Sequence, residues 1–221
     1  MKVRLGIALF FVFGVFFQAC DENIEDPNLD FQLDFQPLEL GDFWIYRVDE
    51  TIHFGENDSE SSTYFLRDRV RSTYVNEANE LVFILERQKS IDQTFWTTQK
   101  DYTMFFREKM LIRNLDNQIS VVLVFPPKHG KVWNGKAYQA GGQDEFEIES
   151  LENNRLKVKQ EDFEDKITRR DIRFEIFEKG VGLVEKYDEV VTYCSRTDCL
   201  GNQLIDGGHK VSLTLLSHGK N

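Results

Sequence analysis

Prolines and cysteines are scarce in this chain and basic residues are outnumbered by acidic ones, and each shortfall excludes something. Its 221 residues hold 27 Lys and Arg against 38 Asp and Glu. A deficit of cations excludes nucleic acid as a partner and disfavours anionic lipid headgroups, because phosphate binding needs Lys and Arg to displace counterions. Only four prolines are present, and strongly apolar segments recur. Such a chain can bury a core and is not disordered. The cysteines are Cys20, Cys194 and Cys199. A zinc site would need two further ligands beside the late pair, and His209 is the one nearby candidate. A redox pair shows two residues between its cysteines, where this pair has four.

Catalytic signatures are also missing. His53, His129, His209 and His218 are scattered without metal-ligand spacing. No H-E-x-x-H, G-x-S-x-G, P-loop or EF-hand loop occurs. Carboxylate pairs carry no signal, since some of 38 acids meet any required separation by chance. No metal, cofactor or catalytic residue is therefore expected. The balance leans away from an enzyme.

What is present begins at the amino terminus. Lys2 and Arg4 precede Leu5–Ala19, which is apolar except for Gln18. A charged start, an apolar run of this length and a small residue at its end describe a secretory signal. A spanning helix needs about 20 apolar residues, more than this run holds. Phe17-Gln18-Ala19-Cys20 resembles the lipobox of bacterial lipoproteins, with Phe17 for the usual Leu and Gln18 for the usual Ala or Ser. The resemblance implies cleavage before Cys20, diacylglycerol on its sulfur and often a further chain, such as palmitate, on the new amino group. Two or more long chains hold stably, at about 0.8 kcal/mol per buried CH₂. After the cut the chain carries 25 basic and 38 acidic residues.

Asp21-Glu22-Asn23-Ile24-Glu25-Asp26-Pro27 looks like the surface-export signal of Bacteroidota-type lipoproteins. In enterobacteria an aspartate directly after the cysteine is instead associated with inner-membrane retention. The same stretch also suits a solvated, extended tether. The expected organisation is a signal over 1–19, a lipidated acidic tether over 20–36 and one β-rich domain over 37–221. Phe31, Leu33 and Phe35 alternate at the end of the tether, as a first edge strand would. The expected location is the outer membrane, anchored by lipid on Cys20 and facing outward.

With Cys20 acylated, Cys194 and Cys199 are free to form a disulfide, which persists outside the cytoplasm. Aromatic and β-branched residues recur in short runs that favour strands. Trp44 and Tyr46 face one way, Phe43 and Ile45 the other. Asn76-Glu77-Ala78-Asn79 and Asp116-Asn117-Gln118 mark hairpins. Residues 126–142, rich in glycine, are read as the longest loop, and Glu161–Arg170 as a short helix or loop. Lys179-Gly180-Val181-Gly182 reads as a bend between strands. About ten strands follow one another without a helical period. They predict a mainly β fold: an antiparallel meander curled into a barrel, half-barrel or sandwich.

Gly41-Asp42-Phe43-Trp44-Ile45-Tyr46 after Pro37-Leu38, Gly130-Lys131-Val132-Trp133, and Lys179-Gly180-Val181-Gly182-Leu183-Val184 resemble segments of uncharacterised Bacteroidota-type lipoproteins. That resemblance implies an extracytoplasmic β-domain and transfers no catalytic residue. The two Gly-x-x-Trp segments echo each other, by duplication or coincidence. Trp133, with His129 and Tyr138 in the Gly-rich stretch, is the candidate ligand contact, although tryptophan is more often core. Three functions follow. The first is a non-catalytic binding or scaffolding domain for an envelope protein, glycan or lipid. The second is a carrier with an apolar half-barrel cavity. The third is a hydrolase of surface glycans or peptides.

Overall fold

A computed structural model describes residues 32–55 and 58–221. The signal segment, Cys20 and the tether up to Phe31 lie outside the described residues.

Among the described residues, twelve strands run in sequence. The first six are β1 (Asp42–Gly55), β2 (Asp58–Val75), β3 (Leu81–Ser90), β4 (Thr97–Arg107), β5 (Met110–Leu115) and β6 (Gln118–Val124). The second six are β7 (Val132–Asn134), β8 (Glu145–Glu152), β9 (Arg155–Glu164), β10 (Arg169–Glu178), β11 (Gly182–Tyr193) and β12 (Ile205–Lys220). They form one antiparallel sheet in the order β6-β5-β4-β3-β2-β1-β12-β11-β10-β9-β8-β7. Two six-stranded meanders are thus joined where β1 pairs with β12. The two Gly-x-x-Trp segments open them, with Trp44 on β1 and Trp133 on β7. The sheet curls into a nearly closed barrel, as the strand pattern predicts.

Turn chemistry explains the hairpins. Asn76 Oδ1 accepts from the N–H groups of Ala78 and Glu80, and Asn79 takes a positive φ of 60°. Asp116 and Asn117 both have positive φ, the pairing a two-residue hairpin needs. Gly182 bends the chain into β11 at φ 104°. A Cβ there would lie 2.8 Å from the Gln36 side-chain nitrogen.

Three sequence expectations are corrected. The segment with Leu33 and Phe35, read as tether or edge strand, forms a short 3-10 turn, Leu33–Phe35. Phe35 is buried in the core, and Gln36 Oε1 accepts from the Leu183 N–H at 3.2 Å. The Gly-rich stretch carries β7. Glu161–Arg170 is neither helix nor open loop. It holds the ends of β9 and β10 around a turn in which Asp165 accepts from the N–H groups of Ile167, Thr168 and Arg169.

The barrel closes along a narrow seam between β6 and β7. There the Val121 N–H donates to Gly135 O at 2.8 Å, and the Trp133 indole donates to Val121 O at 2.8 Å. The Gln139 amide adds a bond to Ile119 O at 2.7 Å. Inside, Phe35, Trp44, Leu85, Leu111, Leu123, Phe125, Leu156 and Phe177 pack in one cluster. Trp44 and Tyr46 point inward, and their polar atoms reach the carbonyls of Val181 and Leu183.

The wall is stepped. β8 pairs with β9 only between Glu147–Lys159 and Glu152–Arg155, and β5 meets β4 no higher than Thr103–Asn114. Beyond these pairs the other strands rise as a curved apron. At this far end lie the β1–β2, β3–β4, β9–β10 and β11–β12 connections. The 3-10 turn packs at the opposite end, where the Gly180 N–H donates to Asp34 O.

Candidate functional site

Alternation along a strand sends every second side chain inward. In β2, β3 and β5 the inward set includes charges. Asp68, between Leu66 and Val70, is buried, and Arg87 meets it in a bidentate pair at 2.7 and 2.6 Å. The Tyr102 hydroxyl donates to the same carboxylate at 3.0 Å. Across the interior, Arg113 of β5 donates to Glu175 of β10 at 2.7 Å. Glu175 is 0% exposed. Lys186 Nζ lies 3.7 Å from Glu175 and 3.9 Å from Asp188, which also faces His209 at 3.3 Å. Higher up, Arg173 bridges Asp171 and Asp144.

These groups form a layer of separate ionic clusters above an apolar core. Burial alone would raise the Glu175 carboxyl. Arg113 and Lys186 more than offset that and hold it below the ordinary glutamate range. Burial lowers the Lys186 ammonium, against the opposing pull of Glu175. For Arg87, the Asp68 charge outweighs desolvation and keeps the guanidinium firmly protonated. Burial, then Asp68, pushes the Tyr46 and Tyr102 hydroxyls up, so both stay neutral donors. Each buried charge here has an opposite partner. Such a layer holds geometry, because a one-residue slip would turn these charges outward.

The three candidate ligand contacts are given separate neighbours. Trp133 is half-buried, with its indole edge against Phe146 at 6.0 Å and its N–H bonded across the seam. Tyr138 is exposed and lies beneath the Arg107 guanidinium, 5.1 Å away. Arg107 itself is clamped on Glu80 at 2.6 and 2.9 Å. His129 is exposed and adds to the pull of Lys159 on Glu147. Trp133 therefore acts in this fold as a seam residue. Cys194 and Cys199 are joined in a disulfide, with Cα atoms 5.9 Å apart. Cys20 lies outside the described residues.

Sequence reading missed the ionic layer. Glu175, between Phe174 and Ile176, looks like part of a solvated outer face, while Asp68 and Arg87 sit in polar runs, Arg67-Asp68-Arg69 and Glu86-Arg87-Gln88. The strand that would neutralise each charge is distant in sequence, so no local pattern marks it. The apolar space a carrier would need is occupied in the lower barrel by Phe35, Phe125, Phe177 and their neighbours.

No protein-family model and no curated protein matches the chain. Among solved structures, a Bacteroides fragilis protein described as exported and as having a YMCC-like fold superposes with a TM-score of 0.42. The superposition covers 84% of this chain and 99% of that one, at 10% sequence identity. A likeness this loose transfers neither activity nor compartment.

Proposed function

We propose that the protein is an extracytoplasmic lipoprotein, tethered to the outer membrane by acyl chains on Cys20 and facing outward. Its barrel binds or scaffolds another envelope component without reacting with it. The Cys194–Cys199 disulfide carries this reading. Disulfides persist outside the cytoplasm, and this one leaves Cys20 as the remaining cysteine. The secretory signal, the lipobox-like segment and the acidic stretch after Cys20 support the same address. A filled lower barrel and a self-paired ionic layer support recognition through outer surfaces.

The test is Cys20→Ala in the full chain. The parent should take up labelled palmitate and partition into the detergent phase, and the variant should do neither. A variant that is labelled and partitions like the parent would refute the anchor.

A further inference from the structure

Three connections at the far end of the barrel are braced from within, yet they hold large apolar side chains out in solvent. In the β3–β4 connection, Asp92 accepts from the Thr94 N–H at 2.9 Å, the Thr94 hydroxyl at 2.6 Å and the Phe95 N–H at 3.4 Å. Those bonds hold its carboxyl down to about 2. Trp96 is pinned by Gln93 O and by Arg67, whose guanidinium sits 4.6 Å from the indole. The loop so fixed presents Ile91 at 82% and Phe95 at 83% exposure. These two frame an open groove of about 440 Å³ with Lys89, Thr97 and Gln99.

The β9–β10 turn repeats the arrangement. Asp165 binds three backbone N–H groups and the Thr168 hydroxyl, while Ile167 stands exposed. In the β11–β12 connection the disulfide does the bracing, and Leu200 and Leu204 are exposed. Phe54, at the end of β1, joins them. Apolar side chains on pre-ordered tips lose little further entropy when covered, which is the property of an interface anchor.

Charge and reach select the occupant. The segments 52–55, 58–60, 89–97, 161–170 and 193–206 together hold nine acidic and five basic residues. An anionic bilayer would be repelled. A protein edged with Lys and Arg would be attracted. The eleven residues between Cys20 and Gln32 span about 40 Å when fully stretched. β1 alone, at 14 residues, runs about 46 Å. With Cys20 in a membrane, a barrel standing upright on its tips would draw the tether nearly taut.

We infer that the far end of the barrel is a docking surface for a protein whose contact face is apolar and rimmed with basic side chains. This rests on the anchored reading for its orientation. The test places benzoylphenylalanine in the full chain, in cells, in place of Phe95, Ile167 or Leu200, with the exposed wall residue Thr214 as control. All three tip positions should crosslink to one polypeptide, and Thr214 should not. The crosslinked peptide, mapped by mass spectrometry, should carry apolar residues beside Lys or Arg. The double change Ile91→Ser and Phe95→Ser should cut crosslinking from Leu200 at least fivefold, with an unchanged urea midpoint to show the fold is kept. Crosslinks to lipid, to a second copy, to an acidic face or to nothing would overturn the inference. Repeating the experiment in the Cys20→Ala chain separates the two readings. Tip crosslinks without acylation of the parent would remove the anchor alone, and acylation without tip crosslinks would remove the docking surface alone.

Discussion

Arg113 and Glu175 stand on strands separated by six others in the sheet, yet they meet at 2.7 Å across the interior. Neither belongs to a local element with the other, so their contact exists only once the sheet has curled. Removing one partner strands a buried charge, which costs about 3–5 kcal/mol. Glu175→Leu should lower the urea-derived stability by that amount. Arg113→Met combined with Glu175→Leu should regain part of it, because the Arg113 charge is no longer stranded, while Lys186 still lacks Glu175. Strictly additive losses would show that the two residues are not coupled.

The same carboxyl makes stability depend on acid. Its folded-state value lies below the ordinary one of about 4.3. Its contribution is therefore complete above that pH and is lost as pH falls through the lower folded value. Chemical denaturation from pH 6 down to pH 2 should show a decline that Glu175→Gln flattens. A variant tracking the parent throughout would assign the acid sensitivity elsewhere.

Phe35 tests where the folded domain begins. It is buried at 2% exposure in the main cluster, although the sequence places it in the tether. Phe35→Ala should cost about 3–5 kcal/mol. A solvated tether residue would cost almost nothing.

At the seam, a Cβ on Gly135 would sit 2.5 Å from the Phe146 ring. Gly135→Ala should destabilise by about 1–3 kcal/mol through overpacking. It should also speed hydrogen exchange at the Val121 amide, which bonds to Gly135 O. Trp133→Phe removes the indole donor to Val121 O and should cost about 1 kcal/mol. Unchanged exchange at Val121 in both variants would mean the closure is held elsewhere.

Loss of the disulfide is the last measurement. Cys194→Ser with Cys199→Ser opens a small loop, worth about 2 kcal/mol in the chain-entropy model. Thermal unfolding of parent and variant, both unreduced, reads the difference. No shift would mean the loop is already ordered by its backbone bonds.

Much of the architecture was legible because it is written locally. Asn76 to Asn79 and Asp116-Asn117 announce their turns, and alternation at Phe146-Ile148 or Ile172-Phe174-Ile176 announces strands. Trp44 declares the core through its apolar neighbours and is buried at 3% exposure. β7 was hidden because three residues among glycines show no period. The upper ends of β9 and β10 were hidden because their charged residues lie on an uncovered apron, where polarity no longer separates strand from loop. The ionic layer was illegible for a different reason: its partners come together only through closure of the barrel.

The position of β12 bears on how this molecule is made. Among the described residues it follows every other strand in the sequence, yet it lies between β1 and β11 and is the strand through which the sheet ladder joins the two meanders. Before β12 is made, β1–β6 and β7–β11 have no ladder between them, and β1 and β11 each keep an open edge. The continuous ladder waits for the sixteen residues of β12 to leave the ribosome. Until then the edges of β1 and β11 stay open to pairing with the wrong strand.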